Sequence, residues 1–187
     1  DPESGELHAI TYYWEWDHVR YVVVDPAGAV RREVQVPVPG RPMIHDCSST
    51  ESSVLIYDLP VHFDVDAAMS GLAMPYQWTL DHGARVGVLP REAEASEVVW
   101  CEVEPCYVFH PLNAYDTPDG KIVADVIRHP HMFASRSSMP GGGPPILARW
   151  TIDPATGKVL EEVVSDRNQE FPRVDERVVG RRHRWGY

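Results

Sequence analysis

Pro42-Met43-Ile44-His45-Asp46 is echoed further along the chain by Tyr107-Val108-Phe109-His110-Pro111-Leu112-Asn113-Ala114. Each stretch places one histidine at the edge of an apolar run that is typical of a β-strand. The two histidines are 65 positions apart, which is about the length of one four-stranded propeller blade with its loops. Equivalent positions of successive blades converge on the central axis of a propeller. We therefore expect His45 and His110 to face each other across such an axis.

Strand signals dominate the rest of the 187-residue chain, and 17 prolines and 13 glycines leave little room for long helices. Val34 and Val36, for example, share one face of a run that alternates with period two. The predicted strands are Leu7–Trp16, Arg20–Asp25, Ala29–Pro37, Ser53–Leu59, Arg85–Leu89, Ser96–Val103, Tyr107–His110, Lys121–Arg128, Pro145–Asp153 and Lys158–Val164.

One turn pattern, in which proline presets one φ angle and glycine supplies a positive φ, links these strands. It recurs at Asp1–Gly5, Asp25–Gly28, Thr117–Gly120 and Asp153–Gly157. Repeated hairpins in an all-β chain indicate a propeller or a solenoid. No internal domain boundary is convincing, so we predict that residues 1–187 form one all-β architecture.

Val65–Trp78 is the exception, because it has helical propensity, lacks strand alternation and contains Pro75. We interpret residues 65–82 as a loop or helical insertion that lies over one face of the sheets. We favour a packed surface loop with one helical turn. The alternatives are a substrate mouth or a peripheral membrane contact through residues 67–78. Ser135–Pro145 reads as a flexible connection, and its glycine triplet lacks the following helix that a phosphate cradle needs.

Composition narrows the partners and the compartment. The net charge of −11 argues against nucleic acid and anionic membranes. Three cysteines without a CxxC pair fit a reducing compartment, so we expect a cytoplasmic protein. No apolar run reaches the ~20 residues of a membrane span. The chain starts without an initiator methionine or a leader, and we expect it to be an internal piece of a longer protein.

Nine histidines make a metal site worth testing. His129-Pro130-His131 is the closest pair, but no carboxylate follows within a few residues, as metal sites of that type require. We interpret this pair as structural or loop histidines. We expect surface or hydrogen-bonded roles for His8, His18, His62, His82 and His183.

His45 and His110 differ, because each lies between a strand run and a turn rather than in a charged run. Either one alone would be interpreted as a hydrogen-bonded structural residue, and only their spacing suggests a shared metal. Glu170 lies 60 positions beyond His110, and a buried carboxylate there could accept a hydrogen bond from a ligand imidazole. No hydrolase motif is present. We interpret Cys47 as a small buried hydrophobe rather than a nucleophile.

Four motifs stand along the chain in this order: Met43-Ile44-His45-Asp46 with Thr50-Glu51 and Leu59-Pro60; Gly87-Val88-Leu89-Pro90-Arg91; Phe109-His110-Pro111-Leu112-Asn113-Ala114-Tyr115-Asp116; and Gln169-Glu170-Phe171-Pro172-Arg173-Val174-Asp175 with Gly180-Arg181-Arg182-His183-Arg184-Trp185-Gly186-Tyr187. Together they resemble the signature of the carotenoid cleavage dioxygenase family. That family also includes lignostilbene dioxygenases and the retinoid isomerase of the eye. The motifs cover nearly the whole chain.

The resemblance implies a seven-bladed propeller with Fe(II) on its axis, held by four histidines. Residues 1–187 would then be a single partial β-propeller domain of about three blades. His45 and His110 match the second and third of these ligands, and the other two should lie beyond the two ends of this chain. Glu170 matches a family glutamate that hydrogen-bonds a ligand histidine. Cys47, Pro111 and Asp116 depart from the family pattern. The first two could reshape the cavity wall, which affects the substrate more than the metal.

The function implied is that of a non-haem iron dioxygenase. It would use O2 to cleave a carbon–carbon double bond of a carotenoid, an apocarotenoid or a stilbene into two carbonyl products. The chain alone would be inactive, and its open edges would favour aggregation. One alternative is a non-catalytic propeller that serves as a binding or scaffold module with structural histidines. A weaker one is a calcium-dependent lactonase type of hydrolase, which should show acidic ligands at the axis.

Overall fold

The computed structural model describes residues 1–133 and 143–187, which form antiparallel β-sheets with few helices. The one α-helix of this part, α1, is Val65–Met69, and no helix there is long and apolar enough to cross a membrane. Short 3-10 turns lie at Leu80–His82, Ala95–Glu97 and Glu176–Val178. The strands are β1 Leu7–Thr11, β2 His18–Val24, β3 Val30–Pro37, β4 Cys47–Ser49, β5 Ser53–Asp58, β6 Val61–Phe63, β7 Tyr76–Trp78, β8 Arg85–Pro90, β9 Val99–Glu102, β10 Tyr107–Asp116, β11 Ile122–His129, β12 Ile146–Asp153 and β13 Lys158–Ser165.

Three sheets follow one another along the chain, in the orders β1-β2-β3, β4-β5-β8-β9 and β10-β11-β12-β13. Neighbouring strands in each sheet are antiparallel, and consecutive strands lie side by side apart from the inserted β6–β7 pair. This is the up-and-down order of propeller blades. The all-β class predicted from the sequence is therefore confirmed.

The middle sheet is covered on both faces, and β5 shows this most clearly because all six of its residues are buried. Side chains alternate between the two faces of a strand. Leu55 and Tyr57 join a core cluster that contains residues of the third sheet, whereas Val54 and Ile56 join a cluster with residues of the first. Each fully buried aliphatic side chain contributes about 1.5–3 kcal/mol. Burial on both faces thus holds the three sheets together.

The Pro-Gly turns lie where the sequence predicted them. In the turn between β2 and β3, the Asp25 carboxylate accepts hydrogen bonds from the backbone N–H groups of Ala27 (2.9 Å) and Ala29 (2.8 Å). Gly28 has a φ of 86°, which a residue with a Cβ rarely adopts. Equivalent turns join β10 to β11 and β12 to β13, so these links are hairpins as predicted.

The insertion between β5 and β8 contains more strand than the sequence indicated. The helix is a single turn, Val65–Met69, whose N-cap carboxylate on Asp64 accepts a hydrogen bond from the Ala67 N–H at 3.0 Å. On either side of it β6 and β7 pair with each other, and this two-stranded sheet was not predicted. Asp58, fully buried at the end of β5, binds His82 at 2.7 Å and so fastens the end of the insertion.

Several strand bounds differ from the prediction. β1 ends at Thr11 rather than Trp16, and the short strand β4 at Cys47–Ser49 was missed. β10 does not end at His110 but continues through Pro111 to Asp116. The predicted flexible connection Ser135–Pro145 falls largely on residues 134–142 and so lies outside the described residues.

Candidate metal site

β10 positions His110 through an irregularity in its pairing with β11. The register shifts between Val108 and Pro111, so that two residues of β10 lie opposite one residue of β11. Such a β-bulge bends the strand and redirects its side chains. Pro111 has no N–H to donate, and a bulge is one of the few places where a strand tolerates proline. The bulge therefore sets the directions of Phe109 and His110.

His45 follows a short segment that is held from two sides. The Met43 N–H donates to the Val61 carbonyl at 2.8 Å, and the Tyr107 hydroxyl donates to the Met43 carbonyl, also at 2.8 Å. Ile44 is buried at 2% exposure, and the next side chain, His45, is exposed. Two hydrogen bonds and one buried side chain thus fix the position from which His45 projects.

The two imidazoles lie close together and nearly perpendicular. The ring centroids of His45 and His110 are 5.3 Å apart, with an angle of 85° between the planes. A metal–imidazole bond of about 2 Å places two ligand rings on one ion with centroids about 4.5–6 Å apart. The edge of Phe109 meets His45 at 5.1 Å, and the Phe171 ring lies 4.6 Å from His110. Aromatic carbon therefore borders the pair.

Glu170 fixes the orientation of one of these rings. Its Oε2 accepts a hydrogen bond from Nδ1 of His110 at 2.7 Å and another from the Phe171 N–H at 2.7 Å. With the proton on Nδ1, the lone pair of His110 is on Nε2, which is the arrangement of a histidine that binds a metal. The donor set around His110 therefore fits a divalent metal ion.

The protonation states agree with this fit. Partial desolvation by the surrounding protein, and then the neighbouring His110, lower the pKa of His45, so its imidazole is neutral at pH 7. Burial alone would raise the pKa of Glu170, but hydrogen bonds from His129, the Phe171 N–H and His110 outweigh it. The pKa of Glu170 lies below its usual value, and the group is a carboxylate at neutral pH. A neutral imidazole on His45 and a nearby anion suit a cation.

His129 is a part of this cluster that the sequence interpretation missed. Its Nε2 lies 2.5 Å from Oε1 of Glu170, and only 4% of the residue is exposed. His129 ends β11, so of the two roles expected for it, structural or loop, the structure shows a buried strand position. His131 instead packs against Trp78, with ring centroids 4.6 Å apart. The carboxylate that contacts His129 belongs to Glu170, which lies 41 positions away in sequence rather than within a few residues.

The remaining sequence candidates do not join the cluster. Burial raises the pKa of the Cys47 thiol to about 12, so Cys47 is not a thiolate nucleophile at neutral pH. The other histidines make local contacts: His8 with Tyr21, His18 with Asp17, His82 with Asp58, His62 with His82, and His183 with Asn113. Gly141 and Gly142 of the triplet lie outside the described residues.

Within residues 1–133 and 143–187, no group of three or more histidine, cysteine, aspartate or glutamate side chains could hold a metal ion. The part of the site described here supplies two imidazoles, His45 and His110. Metal binding by this pair therefore stays a prediction.

The segment that carries Glu170 is attached to β10 by Asn113. The side-chain amide N–H group donates to the carbonyl of Arg181 (2.8 Å) and, at longer range, to that of Val178 (3.3 Å). It also lies 3.1 Å from Nδ1 of His183. The amide oxygen accepts from the Gly180 N–H at 2.9 Å. One buried side chain, only three residues from His110, thus holds the last turn of the chain.

A cavity of about 400 Å³ lies between the insertion and the loop after β1. Aromatic side chains form part of its wall, and Trp14 stacks on Phe63 with centroids 5.3 Å apart. His45 and His110 do not line it.

Comparisons with known proteins agree with this architecture. The family model RPE65, Retinal pigment epithelial membrane protein, matches residues 1–187. A carotenoid cleavage oxygenase of Mycobacterium tuberculosis is 41% identical over the whole of this chain, which covers 46% of that relative. The chain thus spans about half the length of that curated relative.

Solved structures show the same likeness. A lignostilbene dioxygenase of Pseudomonas brassicacearum superimposes with a TM-score of 0.85 at 29% identity, over 100% of this chain and 41% of its own. Cobalt-substituted ACO of Synechocystis has a TM-score of 0.81 at 27% identity, over 96% of this chain and 39% of its own. These neighbours are β-propellers, so the predicted partial propeller is confirmed.

Proposed function

The chain belongs to the carotenoid oxygenase family, and from that premise we propose that the full-length protein is an Fe(II)-dependent dioxygenase. Its reaction is the oxidative cleavage of a carbon–carbon double bond: an alkene and O2 give two carbonyl products. Both oxygen atoms of O2 enter the products, so the reaction balances without another reductant. The names of the relatives support this class of reaction.

The observation that carries the proposal is the pairing of His45 with His110. Their rings lie 5.3 Å apart, and Glu170 leaves Nε2 of His110 available to a metal. In the proposed site these two imidazoles hold Fe(II) together with histidines from the rest of the propeller. When bound, the iron would supply the activation of O2, and imidazole ligands would leave its positive charge unbalanced. Glu170 balances part of that charge and holds the His110 ring in place.

The substrate is proposed to be an apolar conjugated alkene, that is, a carotenoid, an apocarotenoid or a stilbene. Phe109 and Phe171 border the histidine pair with aromatic carbon, which suits a conjugated chain better than a charged substrate. Relatives named for carotenoid and stilbene cleavage support the same chemical class.

The insertion is proposed to touch a membrane surface, from which an apolar substrate could be taken up. Met69 is 84% exposed, Leu80 59% and Met74 44%. Residues 64–82 contain three aspartates and no lysine or arginine, so the contact would be apolar rather than electrostatic. Flotation of the full-length protein with neutral phosphatidylcholine vesicles tests this. Met69→Ser with Met74→Ser should reduce the floated fraction, and unchanged flotation would contradict the proposal.

The function is tested by two variants and one matched control in the full-length protein. Under anaerobic loading, His45→Ala and His110→Ala should each lose most of their iron and their cleavage activity. His18→Ala removes a histidine of the first sheet that pairs with Asp17, and it should retain both. The substrates offered are a carotenoid, an apocarotenoid and a hydroxystilbene, each under 18O2.

The alternative, a scaffold with structural histidines, predicts a different outcome. Wild-type protein would then hold below ~0.1 Fe per chain after loading, because a complete histidine site retains its metal. Iron retained in full by His45→Ala would refute the ligand assignment even if cleavage were observed.

A further inference from the structure

We propose that His129 is a positioning residue of the metal site, acting on His110 through the carboxylate of Glu170. This inference rests on the proposed function, since it concerns how the same site is held. Glu170 joins the two rings by hydrogen bonds: Nε2 of His129 lies 2.5 Å from Oε1, and Nδ1 of His110 lies 2.7 Å from Oε2.

The two histidines engage opposite oxygens of one carboxylate. Because Glu170 is ionised and can only accept, both ring nitrogens must donate. His129 therefore carries its proton on Nε2. The Phe171 N–H adds a third donor on the same oxygen as His110. Without His129, both remaining donors would bind Oε2. Oε1 would then have no partner among these groups, and the carboxylate could rotate. The bond from His129 removes that freedom.

His129 is itself held rigidly enough to serve as an anchor. It is the last residue of β11 and pairs with Tyr107 across the sheet, on the hairpin that carries His110. Its exposure is 4%. Phe109 meets its ring edge-on, with centroids 5.3 Å apart and planes at 90°. The same Phe109 ring also meets His45, so one aromatic side chain packs against an anchor and a proposed ligand.

The hydrogen bonding of the His129 ring is one-sided. Nδ1 of His129 is buried and has no hydrogen-bond partner within the described residues. Its polar contact in this part of the chain is therefore the bond to Glu170. Burying Nδ1 without a partner costs free energy, and that cost is reasonable where the bond from Nε2 orients Glu170. Partners that orient a ligand typically affect metal affinity 10–100-fold. Since His129 acts one bond further away, the expected effect is about tenfold.

The test measures metal binding rather than turnover. Apo full-length protein is titrated with Co(II) in competition with a chelator, and the visible absorption bands of the Co(II) form are recorded. His129→Leu removes the donor at similar volume and should weaken Co(II) binding about tenfold. His129→Gln places an amide N–H near the position of Nε2 and should restore the affinity to within threefold. His129→Asn is too short to reach Glu170 and should behave like His129→Leu.

His131→Leu is the matched control, because it alters the neighbouring histidine, which packs against Trp78. It should leave the Co(II) affinity within twofold of wild type. The melting temperature of each apo variant separates loss of folding from loss of positioning. If His129→Leu does not fold, the comparison of the Gln and Asn variants, which share one chemistry, decides the question.

A double variant isolates the route through Glu170. Adding His129→Leu to Glu170→Ala should change the Co(II) affinity less than twofold, because the link is already broken. Equal losses in both backgrounds would overturn the proposal, as would equal Co(II) affinity and unchanged bands for all His129 variants. Wild-type protein that binds no Co(II) and no Fe(II) would instead overturn the proposed function, and this inference with it.

Discussion

Asn113→Ala should release the last turn of the chain from β10 while leaving the sheets folded. The side chain makes three hydrogen bonds of 2.8–3.1 Å, to Arg181, Gly180 and His183, and a longer one to Val178. Each of the three short bonds is worth about 1 kcal/mol net. The lost stabilisation of this segment is therefore about 3 kcal/mol.

A loss of that size raises the population of the detached segment about a hundredfold, since 1.4 kcal/mol is a factor of ten. The assay is hydrogen–deuterium exchange of the full-length protein, followed on peptides that cover residues 176–187 and on peptides from β11. Exchange of residues 176–187 should accelerate by about that factor. Peptides from β11 should keep their protection, because Asn113 holds the segment and not the strand pairing.

Asn168→Ala is the matched control, because Asn168 is the other asparagine of the chain and is exposed. Its exchange pattern should equal that of wild type. Exchange of residues 176–187 that changes less than threefold in Asn113→Ala would refute the reasoning. So would an equal loss of protection in β11, since that would mean global destabilisation.

Three further predictions concern stability, and each is measured as the melting temperature of the full-length protein. Burial, and then His82, lower the pKa of His62 from 6.5 to about 4. As the pH drops from about 6.5 towards 4, the unfolded chain binds a proton at His62 before the folded chain does, so stability falls. His62→Gln should flatten this slope of melting temperature against pH. An unchanged slope would contradict the assignment to His62. Phe171 has a φ of 55°, a conformation that glycine adopts more easily than residues with a Cβ. Phe171→Gly should therefore be about 1 kcal/mol more stable than Phe171→Ala. The reverse order of melting temperatures would count against backbone strain. A Cβ on Gly87 would lie 2.8 Å from the Trp100 ring. Gly87→Ala should therefore destabilise the folded protein by about 1–3 kcal/mol. An unchanged melting temperature would show that the ring moves freely.

Local rules predicted most of the fold. Turn chemistry placed the hairpins at Gly28, Gly120 and Gly157, and period-two alternation identified the long strands. The errors lie where tertiary contacts override local preference. Pro111 suggested the end of β10, but the strand continues because a bulge accommodates the missing N–H. The paired strands β6 and β7 are three residues each and depend on each other, so neither shows a strong pattern alone.

The site was predicted in part. Spacing and motif resemblance brought His45, His110 and Glu170 together, and the structure places them in contact. No carboxylate follows His129 within a few residues of the sequence. Its partner, Glu170, is close only in space. One signal was present: a hairpin centred on Thr117–Gly120 pairs β10 with β11 and so brings His129 to the level of Tyr107, beside His110.

The cytoplasmic location, the number of seven blades and the identity of the metal stay predictions. Each concerns the full-length protein. This chain spans about half the length of the carotenoid cleavage oxygenase of Mycobacterium tuberculosis. Iron dependence is our proposal from the family and from the donor chemistry of two histidines, and it is the claim on which the proposed reaction depends.

X-ray diffraction at the iron absorption edge from crystals of the full-length, anaerobically loaded protein tests that claim most directly. The anomalous difference map should contain one strong peak within bonding distance of both Nε2 of His110 and a ring nitrogen of His45. A peak elsewhere, or iron present in solution but absent from these two nitrogens, would contradict the assignment.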